Sequence, residues 1–312
     1  MTQPAHVTIH DIHAARHRIA PYIHRTPVIE IEKNVFIKAE HKQVVKSFKP
    51  RGACNAMLRL SDEEKKKGVI ARSSGNFAQG LSYIGHTLGV SVTIVMPEHA
   101  PKIKVESTRS FGARVILKGH HHSESQAVVD QLSQSENLIK LHPFDHNDVI
   151  AGQGTAMLEI CEDVPHIDIF FCPISGGGLL AGCATVLKAI HPNAIIIGVE
   201  PEGAADYGHY RKTGQLVKLE TTTSVADGLL APCVGERCKP LLDAYVDAVI
   251  VLSDDAILDA MRWLNETKGE EVEASGAASV AGYREYKKTN NVEGIIVVCM
   301  TSGGNFASGI NA

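Results

Sequence analysis

The chain has no apolar run long enough to span a bilayer. Its opening residues, MTQPAHVTIHDIHAARHRIA, carry no apolar core of a secretory signal. We therefore expect a cytoplasmic protein with no membrane partner. A basic excess is also missing: 31 Lys and Arg stand against 35 Asp and Glu, for a formal net charge of −4. That excludes the electrostatic footprint of a nucleic-acid binder. The 16 histidines make this charge sensitive to pH near neutrality. Cysteine is sparse and unpatterned, with seven residues, an odd number and no CxxC. Reduced, buried thiols are expected, not a disulfide framework. Cys233 and Cys238 have no second pair beside them, so no zinc site is expected there. The triplet His120–His122 follows Gly119 and precedes a Ser-Glu helix start, which reads as an exposed turn and not as a metal site. There is no internal repeat and no low-complexity segment.

What is present is ordinary globular composition, 44% hydrophobic and 21% charged over 312 residues. That length suits one large or two moderate domains. Apolar, β-rich runs recur: VFIKAE, GVIARSS, SVTIVMP, ARVILKG, DIFFCPIS, AIIIGVEP, DAVIVLS and GIIVVCMTS. Helical patterns such as AQGLSYIGHTLG, SESQAVVDQLSQS and DDAILDAMRWLNETKG lie between them. Alternation of strand and helix predicts an α/β protein with doubly wound parallel sheets covered on both faces. Ligands of such sheets bind beyond the carboxyl ends of the strands.

Three loops rich in glycine and serine fall at those ends. SSGNFAQG (73–80) places backbone N–H groups and short side chains at a helix start, where an anion binds well, although an ordinary N-cap reads the same. ISGGGLLAG (174–182) spends three consecutive glycines before a helix, which suits close approach of a phosphate to the backbone. The third, MTSGGNFASG (300–309), offers Ser302 as a neutral hydroxyl at a strand tip. The segment SFKPRGA (47–53) adds Lys49, a lysine beside an aromatic residue and away from the charged surface runs. A lysine amine condenses with the aldehyde of pyridoxal phosphate, which then serves as an electron sink. Four such pieces suggest that cofactor, provided they meet in space. A rival reading is an NAD-dependent dehydrogenase: Gly176, Gly178 and Ala181 fit a dinucleotide fingerprint, with Glu200 as the ribose acid. It leaves SSGNF and Lys49 without a role.

In order, SFKPRGA, SSGNFAQG, VIAGQGT, SGGGLLAG, GVEPEGAAD and TSGGN resemble the serine/threonine dehydratase and serine racemase family of pyridoxal phosphate enzymes, which have a tryptophan synthase β-like fold. The resemblance runs from about residue 20 to the last residues. It implies that Lys49 carries the cofactor and moves the Cα proton. Phe48 would pack near the ring, and Asn76 would bond its hydroxyl. Ser73, Ser74, Gly75 and Asn76 would hold the substrate carboxylate. Gly176, Gly177, Gly178 and Leu179 would cradle the phosphate, Ser302 would face the ring nitrogen, and Glu273 would lie near the active site. Glu200, Ala204 and Asp206 match the family's divalent-cation site, with Mg²⁺, Mn²⁺ or Ca²⁺ as suitable ions. Ser74 matches the second base of the racemases, where many dehydratases have alanine. Phe77 stands where histidine is common, Ser175 replaces a glycine, and Phe144 is dehydratase-like.

From this we expect a large domain (1–49 and 147–312) that binds the cofactor and a small mobile domain (50–146). A homodimer without the C-terminal regulatory domain of biosynthetic threonine deaminases is also expected. The expected activity is elimination from L-threonine or L-serine to a 2-oxo acid and ammonia. Serine racemisation is the alternative. A hydroxyaspartate dehydratase is a further one, for which the chain shows no mark of a second substrate carboxylate.

Overall fold

The computed structural model describes residues 6–119 and 122–306. His120 and His121 lie outside the described residues. The strands are β1 (Val28–Glu32), β2 (Val35–Ala39), β3 (Val69–Arg72), β4 (Val92–Met96) and β5 (Arg114–Leu117). They continue with β6 (Ile139–Lys140), β7 (Ile169–Pro173), β8 (Ile195–Pro201), β9 (Ala248–Leu252) and β10 (Val297–Thr301). Two sheets result. One has six strands in the order β1-β2-β10-β7-β8-β9, and the other has four in the order β5-β4-β3-β6.

All pairings are parallel except that of β1 with β2, which is antiparallel. This hairpin was not foreseen from the sequence. Its two-residue turn places Asn34 at φ 63°, a left-handed conformation that asparagine tolerates better than most residues. The two-residue β6 was also not foreseen.

Both sheets are covered on each face. One apolar cluster on the six-stranded sheet joins Phe170, Val298 and Met300 to the helices Asn147–Asp163 and Gly178–Ile190. The other joins Phe171, Val297 and Cys299 to the helices Asp254–Arg262 and Ala274–Tyr286. The four-stranded sheet buries Val69, Ala71 and Ile94 against Met57 and Leu81 from the helices Lys49–Leu58 and Asn76–Leu88. Its opposite face buries Ile70 and Val95 with Val129. Continuous apolar strands such as FFC and VVC are what sheets buried on both faces require. No described helix is long and apolar enough to cross a membrane.

Candidate functional site

The carboxyl ends of β3, β4, β6, β7 and β10 converge on one cavity of about 640 Å³. Lys49, the loop Ser73–Asn76, the glycine loop and Ser302 all line it. The four pieces singled out from the sequence therefore meet in space.

Lys49 opens the helix Lys49–Leu58, with Pro50 in the first turn, where its missing N–H costs nothing. Just before it, Ser47 forms an isolated antiparallel bridge with Gly303, and the Phe48 N–H donates to the Ser302 carbonyl at 3.2 Å. The tip of β10 is thus tied to the lysine. The ammonium of Lys49 sits 4.7 Å from the centre of the Phe48 ring. Enclosure by protein lowers the Lys49 pKa to about 8, against the opposing pull of Cys238 and Glu273. A free amine, the nucleophilic form, is therefore populated near neutral pH.

Behind Lys49, Arg51 is wholly buried. Its guanidinium donates to both oxygens of Glu40, at 2.7 and 2.8 Å, and to both oxygens of Glu159, at 2.8 Å each. Glu159 also accepts from Lys38 at 2.6 Å. This buried, mutually satisfied cluster pins the helix that carries Lys49.

In the serine-rich loop, Gly75 is the N-cap of the helix Asn76–Leu88 and makes no side-chain cap bond. The first N–H groups of this helix therefore receive no side-chain cap. The Ser73 N–H donates to Val95 O, and the Ser73 hydroxyl accepts from the Gly75 N–H at 3.3 Å. Phe77 is buried in the core of the four-stranded sheet and takes no part in the site's polar chemistry.

The glycine loop precedes the helix Gly178–Ile190. Gly177 has φ 88° and Ser175 φ 50°. A Cβ on Gly176 would lie 2.3 Å from the Phe144 ring, and one on Gly178 3.0 Å from the Phe144 carbonyl oxygen. The glycines are thus required by the packing of Phe144 as well as by any phosphate. Leu179 is buried behind them.

Ser302 lines the cavity but donates its hydroxyl to the Ser275 carbonyl at 3.2 Å. Glu273 is the N-cap of the helix Ala274–Tyr286, yet its side chain makes no cap bond. It crosses instead to Asn76, accepting the side-chain N–H at 2.7 Å, and accepts the Asn305 backbone N–H at 3.1 Å. The Asn305 side chain donates to Asn76 Oδ1 at 2.9 Å and to Val45 O at 2.7 Å. Burial, helped by the charge of Asp227, pushes the Glu273 carboxyl up to about 7.

Glu200 and Asp206 lie within electrostatic reach of each other, and neither they nor Ala204 line the cavity. Glu200 is fully buried and accepts the backbone N–H groups of Gly208 at 2.7 Å and Tyr207 at 3.3 Å. Both its oxygens are thus taken by backbone amides and it does not line the cavity, which argues against the ribose-binding role on which the dehydrogenase reading depends. Asp206 Oδ2 accepts from the Val234 N–H at 2.8 Å, while Oδ1 is buried with no partner among the described residues. Burial pushes the Glu200 carboxyl up to about 8, against the Gly208 amide and with the Asp206 charge adding to it. Two desolvated carboxylates with one orphaned oxygen suit a hard cation. Among the described residues no group of three or more His, Cys, Asp or Glu side chains could hold a metal.

Sequence reasoning passed over Asn305, Arg51 and Arg72. Arg72 ends β3 and lines the cavity immediately before Ser73. Its signal was legible: a cation at the tip of the apolar strand GVIAR, where ligands bind.

These features agree with what the chain is similar to. It is 38% identical to a serine racemase of Oryza sativa subsp. indica, over 97% of this chain and 92% of that protein. It is equally 38% identical to the catabolic L-threonine dehydratase TdcB of Staphylococcus aureus (strain USA300), over 97% of this chain and 90% of that one. The structure of maize serine racemase superposes with a TM-score of 0.93 at 36% identity, covering 97% of this chain and 95% of the other. The family model described as "Pyridoxal-phosphate dependent enzyme" matches residues 19–303. The chain belongs to the pyridoxal-phosphate dependent enzymes, within the group of serine racemases and threonine dehydratases.

Proposed function

We propose that the protein is an ammonia-lyase that eliminates water from a small β-hydroxy amino acid, releasing a 2-oxo acid and ammonia. The observation that carries this is the convergence of Lys49, the Ser73–Asn76 loop and the glycine loop on one cavity. When bound, pyridoxal phosphate supplies an electron sink at the substrate Cα.

The residues fit that cofactor. The uncapped N-terminus of the helix Gly178–Ile190, with Gly176, Gly177, Gly178 and Leu179, suits its phosphate, and Lys49 suits its aldehyde. Phe48 and Asn76 would flank the ring, with Glu273 and Asn305 orienting the Asn76 amide. Ser302 would meet the ring nitrogen after releasing the Ser275 carbonyl. A neutral hydroxyl leaves that nitrogen largely unprotonated, which favours loss of a β-hydroxyl over build-up of negative charge.

The Ser73–Asn76 loop binds the substrate carboxylate through backbone N–H groups and the serine hydroxyls. Lys49, as a free amine, takes the Cα proton, and the β-hydroxyl leaves as water. Segment 50–146 would move as the small domain and close the cavity, helped by the ion pair of Lys104 with Asp227 across its mouth. Glu200, Asp206 and the Ala204 carbonyl would bind a divalent cation of the Mg²⁺ class.

Racemisation is the second reading, favoured by Ser74, which lines the cavity and could act as a second base. One incubation separates the two. The holoenzyme is mixed with Mg²⁺ and L-threonine or L-serine, and 2-oxo acid and D-amino acid are assayed together. Oxo acid in excess supports the lyase, D-serine at a comparable or higher rate makes the protein a racemase, and neither product removes this substrate class.

A further inference from the structure

The Arg72 side chain makes no hydrogen bond and no ion pair with any described residue, and its Nε is buried without a partner. Its register on β3 opposite Val95 of β4 puts it at the carboxyl edge of the four-stranded sheet, on the cavity wall. The Ser73–Asn76 loop begins at the next residue. An arginine cannot shed its proton, so a half-buried guanidinium on the cavity wall with no acidic partner favours an anion in the cavity. Desolvation alone shifts its pKa, downward, with no acidic side chain bearing on it.

The other cations near the cavity already have work. Arg51 is saturated by Glu40 and Glu159, Lys104 is paired with Asp227, and Lys49 is the cofactor's lysine under the proposed function. The anions that function requires are also provided for. A phosphate has the glycine loop after β7, and the α-carboxylate has the loop after β3. The three acids lining the cavity do not reach Arg72: Asp227 holds Lys104, Glu273 holds Asn76, and Glu220 is exposed. Arg72 and Lys49 both lower the pKa of His142, after burial and against Asp145, which places the two cations within electrostatic reach of the same imidazole.

We propose that Arg72 is the receptor for a second carboxylate on the substrate, so that the favoured substrate is a β-hydroxy amino acid with an acidic side chain, of the 3-hydroxyaspartate type. This rests on the elimination reading and narrows its substrate class. The planar guanidinium matches a carboxylate through two parallel N–H···O bonds, and the side chain of serine or threonine offers it no charge. Arg72 is the mark of a second carboxylate that sequence reading did not find. The chemistry balances without an oxidant. The substrate loses its Cα hydrogen and β-hydroxyl as one water, the resulting enamine tautomerises to an imine, and one water hydrolyses that to ammonia and a 2-oxo dicarboxylic acid.

The test compares kcat/KM for 3-hydroxyaspartate (threo and erythro forms) with that for L-serine and L-threonine, in the holoenzyme and in Arg72→Gln and Arg72→Lys. The unaltered enzyme should favour hydroxyaspartate at least about tenfold, and Arg72→Gln should lower that preference about 100-fold, with Arg72→Lys between them. A preference for serine or threonine in the unaltered enzyme overturns the proposal. So does an equal loss on all substrates in Arg72→Gln, which would place Arg72 on the α-carboxylate instead. Thermal shift gives a readout free of turnover: malonate should raise Tm in the unaltered holoenzyme and not in Arg72→Gln, whereas acetate should not distinguish them. No malonate-specific shift sinks the proposal. A malonate shift that depends on Arg72, with no amino acid turned over, keeps the anion receptor and removes the elimination reading beneath it.

Discussion

The Glu273 carboxylate accepts the Asn76 side-chain N–H at 2.7 Å, although 197 residues separate them. The contact joins the loop after β3 to the helix that packs on β7 and β10. Glu273 is almost completely buried, and its carboxyl is raised to about 7. Between about pH 4.3, the ordinary glutamate value, and pH 7 the folded protein therefore holds a proton that the unfolded chain has released. The stabilisation from this group is complete below the lower pH and is lost as pH rises through 7. Thermal melts of Glu273→Gln should show a flatter dependence of Tm on pH from 5 to 7 than the unaltered protein. Parallel profiles would refute the assignment.

Lys49, lowered to about 8, should capture pyridoxal phosphate as its free amine. The rate at which the apoprotein acquires the cofactor's absorbance should rise with pH and level off above about 8. A continued rise towards pH 10 would mean an ordinary lysine. Lys49→Ala should lower elimination by at least about 1,000-fold, in the range expected for loss of a general base.

Ser74 distinguishes the two activities. Ser74→Ala should cut formation of D-serine from L-serine about 100-fold more than formation of oxo acid, since only inversion needs a proton donor on the second face. Equal losses would assign Ser74 to carboxylate binding alone.

Removing Arg51 would strand two buried carboxylates, Glu40 and Glu159. Arg51→Met should destabilise the protein by about 3–5 kcal/mol in urea unfolding. A change below about 1 kcal/mol would show that the cluster reorganises freely.

For the carboxylates at 200 and 206, Mg²⁺ should raise Tm by binding the folded state alone. The rise should vanish in Asp206→Asn, whose neutral amide replaces the orphaned oxygen's charge. An undiminished shift would place the cation elsewhere.

Eight of the ten strands, the three loops and the place of Lys49 on the cavity were legible in the sequence because they depend on neighbours. An apolar run of five residues bounded by glycine or serine specifies a buried strand ending at a ligand edge, and Lys49 lies within seven residues of chain that read as one motif. The antiparallel β1 was not, because VIEIE becomes a strand only when β2 takes its hydrogen bonds. Glycines 176 and 178 pointed to a phosphate, while the clash that any side chain there would make with Phe144 is visible only once the loop after β6 folds over them. Arg51 and Arg72 look alike along the chain, each a cation beside a glycine- or serine-rich turn. Folding brings Glu40 and Glu159 to one guanidinium and no acid to the other. Which of them is structural and which awaits a ligand is decided by tertiary structure, because charges interact over a few ångströms of space whatever the number of residues between them.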